Sequence, residues 1–310
     1  MIRDVIRSNK WKTRIIVTFF VVFVVAAMYL ISIAMGWGEI ALPLALLVSF
    51  FMTWGSYYYS DKIVLGMSQA RPATHEEDRM LDNIVEGIAI AAGLPKPRIY
   101  VIDDSAPNAF ATGRNPQNAV ICVTTGLMEK LTRQELEGVV AHEMSHIKNY
   151  DTLLMTITVV MVGALALLAD FFIRSAFLGR RRNSERSEGG GQLQLIIMVI
   201  GLILAILAPI VAQMIHLAIS RRREFLADAD GALLTRYPKG LSDALKKLSE
   251  DTEPLEAANK ATAHLYIVNP LLEHGGMLNK LFSTHPPIED RIAALNQLSF
   301  ETRNNTALKP

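Results

Sequence analysis

Hydrophobic and polar positions fall along this chain in blocks of different period. Ile15 to Met35 is a run of 21 residues without a charge, long enough for a helix to cross a bilayer. After the short connection Gly36-Trp37-Gly38-Glu39 comes a second apolar run, Ile40 to Tyr59. It closes on Trp54, Tyr57, Tyr58 and Tyr59, side chains suited to a membrane interface. The pattern predicts an uncleaved transmembrane hairpin over residues 1–60. From Asp61 the pattern becomes that of a water-facing domain. Met80, Leu81, Ile84, Val85 and Ile88 recur with a period near 3.6, predicting an amphipathic helix over His75 to Ala92 that Gly93 and Pro95 end. Arg98 to Ile102 reads as a strand, Asp103 to Pro107 as a turn, Asn108 to Ala111 as a short extended piece and Asn118 to Thr124 as a second strong strand. Thr132 followed by Glu135 is a capping box, so a helix begins at about Arg133.

The third apolar run, Thr152 to Ala169, and the fourth, Leu193 to Ile219, flank a polar, glycine-ended linker over residues 174–192. Pro209, Gln213 and His216 set the far end of the fourth run in protein or at the interface rather than in lipid. From Ser220 to Pro310 the chain is polar and helix-rich, with amphipathic stretches over Leu241 to Leu248 and Ile288 to Leu298. The expected organisation is an N-terminal transmembrane hairpin (1–60), a first part of a catalytic domain (61–151), a second hydrophobic hairpin (152–219) and the remainder of the catalytic domain (220–310). The fold class is thus a mainly α membrane protein, four hydrophobic helices carrying an α+β catalytic portion.

Composition and charge narrow the reading. Hydrophobic residues make up 51% of the 310 positions, more than a water-soluble domain of this length needs. Lys and Arg (31) balance Asp and Glu (30), which argues against nucleic acid as a partner. Cations flank the outer ends of the first hairpin and are absent from its connection. The positive-inside rule therefore puts the N-terminus and the residues after Asp61 in the cytoplasm. Arg174, Arg180, Arg181, Arg182 and Arg186 in the polar linker run against that rule if the third and fourth runs both cross; a hairpin that stops short of crossing returns the chain to the same side. A single cysteine, Cys122, excludes an internal disulfide and a thiolate metal site, so any metal must be held by His and carboxylate.

The chemistry concentrates in residues 139–151, VVAHEMSHIKNYD. On a helix, His142 and His146 lie four residues apart on one face and can grip one metal ion, with Glu143 beside them. The bland alternative is a solvated polar face. A catalytic zinc site takes three protein ligands. Glu224 is the candidate for the third, and Asp228, one turn later, can accept the free imidazole N–H of either histidine. Otherwise both acids belong to a juxtamembrane charge cluster with Arg221 to Arg223. His75, His264 and His274 have no ligand-like spacing partner and read as surface or structural residues.

His-Glu-Met-Ser-His, then Arg-Arg-Glu-Phe-Leu-Ala-Asp-Ala-Asp-Gly-Ala, with Asn-Ala-Phe-Ala-Thr-Gly upstream and Ser-Thr-His-Pro-Pro-Ile-Glu-Asp-Arg-Ile downstream, resembles the HtpX family of membrane zinc endopeptidases. The resemblance implies a zincin-like cytoplasmic catalytic domain with one Zn2+ per chain on His142, His146 and Glu224, Glu143 as general base and Asp228 behind the ligands. It also implies multi-pass residence in the bacterial inner membrane, misfolded membrane proteins or unfolded polypeptides as substrates, and a role in quality control under heat or envelope stress. Related prenyl-protein proteases carry a His and an Arg six residues apart near the oxyanion, a spacing that His285 and Arg291 fit; His285 could equally cap or pack before Pro286. Asn108, Ala109, Phe110, Val120 and Cys122 are expected to bind substrate if the extended piece and the second strand offer a free edge for strand addition, or else form an internal core hairpin. Alternatives are a prenyl-protein protease, for which four hydrophobic segments are few, and a membrane-anchored scaffold or holdase with a structural metal, which would want a fourth protein ligand. A transporter is disfavoured by the scarcity of ionisable groups at mid-depth in the spans.

Overall fold

The structure is a computed structural model that describes residues 2–34, 40–161, 163–164, 170, 201, 221–258, 262–270 and 286–307. Its first helices are α1 (Ile2–Ala34) and α2 (Ala41–Tyr58), which pack against each other, followed by α3 (Ser60–Met67). Among the described residues no helix is long and apolar enough to cross a membrane. Most of the fourth apolar run, part of the third, the polar linker and His274 and His285 lie outside the described residues.

A four-stranded sheet and the helices on it position the chemistry. Its strands are β1 (Arg71–Pro72), β2 (Arg98–Ile102), β3 (Ala109–Thr112) and β4 (Val120–Thr124), in the order β1-β2-β4-β3. Helix α4 (His75–Ala92) separates β1 from β2, and the short α5 (Thr125–Lys130) follows β4. β4 pairs parallel with β2, Arg98 opposite Val120, and antiparallel with β3, Phe110 opposite Cys122. The expected strand over Asn118 to Thr124 is thus the central β4, and β1 and β3 are the edges of the sheet. The continuous apolar run of β4 has a physical reason, since both sheet faces are covered. Val101, Ala109, Ala111, Ile121 and Val123 join one core with α4 and the helices beyond it; Ile102, Phe110, Val120 and Cys122 turn the other way into a second core.

Central in the first core is α6 (Arg133–Lys148), which packs against α4 and β3. The expected capping box starts it, Glu135 accepting from the Thr132 backbone N–H at 2.7 Å. Tyr150, in a left-handed conformation with φ of 59°, ends it and turns the chain into a further helix, α7, at 151–161. Those residues are where the third hydrophobic run was expected to enter the membrane, and this start needs correction. Every residue from 151 to 161 is buried, with Met155, Val159 and Val160 in the second core and Thr156 hydrogen-bonded to Thr112 at 2.9 Å. Three turns of that run are thus protein interior; apolar composition alone does not distinguish lipid from a domain core. The remaining helices are α8 (Arg221–Thr235), α9 (Pro238–Glu250) and α10 (Ile288–Ala307). α8 and α9 both pack on α6, and α10 packs on both of them.

Candidate metal centre

Helix α6 carries His142, Glu143 and His146 on a face that is buried, all three below a tenth exposed. A helix with that much polarity inside a protein needs partners on the facing elements, and α8 supplies them. Glu224, Asp228 and Gly231, spaced by four and three, lie on one stripe of α8. Gly231 sits directly against α6: a Cβ there would lie 3.0 Å from the backbone nitrogen of His142 and 3.2 Å from its Cα. The close crossing brings the acidic side chains of α8 up to the histidines.

Nε2 of His146 is 3.1 Å from Nε2 of His142, and Glu224 places Oε2 3.8 Å from the His142 Nε2 and Oε1 3.6 Å from the His146 Nε2. Adjacent ligands of a tetrahedral zinc lie about 3.3 Å apart at ordinary Zn–N distances, so the triangle has the size of one coordination sphere, and among the described residues these three form the group that could hold a metal ion. The tautomers agree. His142 Nδ1–H donates to Asp228 Oδ1 at 2.9 Å and His146 Nδ1–H to Asp151 Oδ2 at 3.1 Å, leaving both Nε2 lone pairs pointing inward. With both Nε2 atoms unprotonated, two lone pairs and a carboxylate converge on one point, an arrangement that suits a cation.

The titration behaviour fits the same picture. Burial pulls His142 down to about 4, with the Arg291 charge adding to the fall against Asp228. Burial would also lower His146, but its bond to Asp151 and the charges of Glu224, Asp151 and Glu143 carry it up to about 9. That proton is the cation the carboxylates attract, and a dication on the same nitrogen displaces it. Burial pushes Glu143 up to about 7, the Glu224 charge contributing, while the backbone N–H of Ala111 on β3 donates to its carboxylate.

Arg291 has a different place from the one expected. Buried completely, it donates Nε–H and Nη2–H to the two oxygens of Asp228 at 2.8 and 2.7 Å, and Nη1–H to the Ile267 carbonyl at 3.1 Å. Its guanidinium therefore stands behind His142, tied to Asp228. The expected substrate-binding residues also need correction. Phe110, Val120 and Cys122 point to the second core, on the opposite sheet face from α6, because a strand's side chains alternate. The amide of Asn108 is engaged within the protein, with Nδ2 donating to the Val268 carbonyl at 3.0 Å and Oδ1 accepting from the Ala109 N–H; the Ala109 carbonyl accepts from Ile267 N–H at 3.0 Å. His264 is buried, a structural placement. Asp151 was missed altogether, although it stands five residues after His146 at the end of the motif stretch. The helix break at Tyr150 that folds it back left no hydropathy signal.

The comparisons agree with this geometry. A model of peptidase family M48 matches residues 75–299. A "Protease HtpX homolog" of Dictyoglomus thermophilum is 48% identical over 95% of this chain and 94% of its own length, and one of Pyrococcus furiosus is 44% identical over 94% and 96%. The crystal structure of S. mikatae Ste24p is similar in fold, with a TM-score of 0.50 at 20% identity, covering 92% of this chain and 66% of that one.

Proposed function

The chain belongs to peptidase family M48 as an HtpX-type metalloprotease, and from that premise we propose that it is a zinc endopeptidase of the bacterial inner membrane. In this reading it cleaves misfolded or damaged membrane proteins on the cytoplasmic side, as part of the response to heat or envelope stress. The observation that carries the reading is the meeting of His142, His146 and Glu224 around one point, with Glu143 beside them and β3 alongside. Zinc bound there would polarise the scissile carbonyl and make water a better nucleophile at neutral pH.

This chain's residues do the rest. Glu143, with a carboxyl near 7, is matched to accept the proton of the attacking water and hand it to the leaving amine. Asp228 and Asp151 hold the two imidazoles in the tautomer that leaves Nε2 bare, and Arg291 holds Asp228. Along β3, Asn108 accepts from the Thr124 N–H, so alternation turns the backbone groups of Ala109 and Ala111 outward. The Ala109 carbonyl is taken by Ile267 and the Ala111 N–H by Glu143, so the Ala111 carbonyl is the group with which an extended substrate would pair. Such backbone recognition suits unfolded segments of varied sequence. Support for the membrane location is the pair of apolar runs within α1 and α2 and the flanking cations, together with the family.

The test is cleavage of an unfolded, detergent-solubilised membrane protein by the zinc-loaded enzyme, with Glu143→Gln assayed beside it at equal zinc occupancy. Cleavage by the parent and none by the variant is expected. No cleavage by either, with zinc bound, would move the reading to a membrane-anchored scaffold or a much narrower substrate.

A further inference from the structure

The buried side of α1 is a narrow stripe. Asn9, Thr13, Phe20 and Val24 are buried at helical spacing, while Lys10, Trp11, Arg14 and Ile15 between them are exposed. At the head of that stripe Asn9 is fully buried. Its Nδ2 donates twice, to Asp151 Oδ1 at 2.7 Å and to the Asn149 carbonyl at 2.9 Å, in the turn that closes α6. The same Asp151 oxygen accepts from Arg223 Nη1 at 3.1 Å, and the other oxygen accepts from His146. A residue of the N-terminal helix, 142 positions before Asp151 in sequence, thus holds the carboxylate that orients a metal-binding histidine.

We propose that Asn9 is a positioning residue of the metal centre: by seating α1 on Asp151 it fixes the ring of His146, so that the centre reaches full metal affinity only with the N-terminal helix docked. The inference rests on the reading of His142, His146 and Glu224 as metal ligands. The chemistry follows from the acceptor. Asp151 can orient His146 only if its own torsion is fixed, and one oxygen is fixed by two donors from two different helices, α1 and α8. An amide at position 9 supplies one of them without charge. A carboxylate in its place would lie against Asp151 and drive it from His146, and an alkyl side chain would leave Arg223 to hold it alone. Partners that orient metal-binding histidines typically change affinity by about ten- to a hundred-fold when lost.

The experiment uses the full chain in detergent, as parent, Asn9→Asp, Asn9→Leu, Thr13→Ala and His146→Ala. Zinc affinity is measured by competition with a chelator, the visible spectrum is recorded with Co2+ in place of zinc, and the metal-free proteins are melted as a folding control. Thr13 donates to the Asn9 carbonyl one turn on, so its variant perturbs the same helix stripe without touching Asp151. The expectation is a roughly ten-fold or larger loss of zinc affinity in Asn9→Asp, a smaller loss in Asn9→Leu and a shifted Co2+ spectrum in both. Thr13→Ala should keep the parent spectrum and affinity. Parent-like affinity and spectra in both Asn9 variants, with His146→Ala abolishing binding, would overturn the proposal. So would equal effects of Thr13→Ala and Asn9→Leu, which would make the contact one of general helix docking. Failure of the metal-site reading would look different: His146→Ala would then bind zinc as the parent does.

Discussion

Replacing Asp228 separates the two tasks that this carboxylate performs. It is 2% exposed and accepts from three donors, two on Arg291 and one on His142. Asp228→Ala would leave the guanidinium of Arg291 buried with Glu224, 3.7 Å away, as the nearest opposite charge. Breaking one partner of a buried pair costs about 3–5 kcal/mol, against a domain stability of about 5–15 kcal/mol. For a domain of this size that corresponds to a fall in Tm of roughly 10 °C. His142 would also lose the acceptor that fixes its tautomer, a further ten- to hundred-fold, or about 1.4–2.7 kcal/mol, in metal affinity. The double replacement Asp228→Leu with Arg291→Met removes both charges and fills the space. It should recover most of the stability, because an apolar pair avoids the desolvation of two ions. It should not recover metal affinity, because leucine cannot accept from His142. Melting of the metal-free parent, Asp228→Leu, Arg291→Met and the double variant as a double-mutant cycle, with Asp228→Ala beside them and chelator competition on the same samples, reads the two effects apart. A single Asp228→Ala variant within 1 kcal/mol of the parent, or a double variant whose loss equals the sum of the singles, would refute the pairing argument.

Other perturbations draw on the same contacts. Glu143→Gln should keep zinc affinity and melting temperature within error while lowering kcat by about a hundred-fold or more, since it removes only the proton acceptor. Gly231→Ala puts a methyl group 3.0 Å from the His142 backbone nitrogen, tighter than ordinary packing, so the two helices must give by a few tenths of an ångström. It should cost about 1–3 kcal/mol and weaken metal binding as α8 moves off α6, with melting and chelator competition as the measures. Cys122 is fully buried, and burial raises its thiol pKa, so alkylation of the native protein should proceed only through opening and accelerate sharply in denaturant. Glu135 is held below the ordinary glutamate range: burial would raise it, but its bonds to Lys247 and Thr132 prevail. Its contribution is therefore complete above about pH 4.3 and is lost as pH falls through the lowered folded-state pKa. Lys247 is 43% exposed at the side chain, so that contribution is about 1 kcal/mol or less; Glu135→Gln should flatten the acid limb of the stability curve by that amount.

The sequence was most informative where one local rule decided the outcome. The capping box at Thr132 placed the start of α6, and the four-residue spacing of His142 and His146 placed both rings on one side. Glu224 and Asp228 were reachable because a helical turn separates them and an antiparallel return was expected. What was illegible depended on the sheet and on chain reversal. An apolar strand such as Val120 to Thr124 can be an edge or a centre; only pairing with both β2 and β3 makes it a centre and turns Cys122 away from the site. The stretch 152–161 has the composition of a membrane segment, and its burial against Phe110 and Tyr266 becomes visible only when the second face of the sheet is covered. Asp151 needed a left-handed residue to fold it back, and Tyr150 is not a residue type that announces one.

A symmetry in the site explains why so much charge is tolerated in a buried place. Each imidazole has one carboxylate behind it and each carboxylate has one guanidinium behind that: His142 to Asp228 to Arg291, and His146 to Asp151 to Arg223. The two outer pairs cancel, so neither Asp228 nor Asp151 adds net charge to the centre. What faces the convergence point is Glu224, which also lies 3.7 Å from Arg291, with Glu143 beside it, carboxylates that suit one dication. The arms differ in what anchors them. Arg291 reaches Asp228 from α10, which packs on the catalytic helices, whereas Asp151 is held by Arg223 from the foot of α8 and by Asn9 from the N-terminal helix α1. A displacement of α1 would therefore be felt at His146 while the His142 arm kept its full set of partners. That asymmetry is why the same loss of an orienting contact should reshape one side of the coordination sphere and leave the other intact.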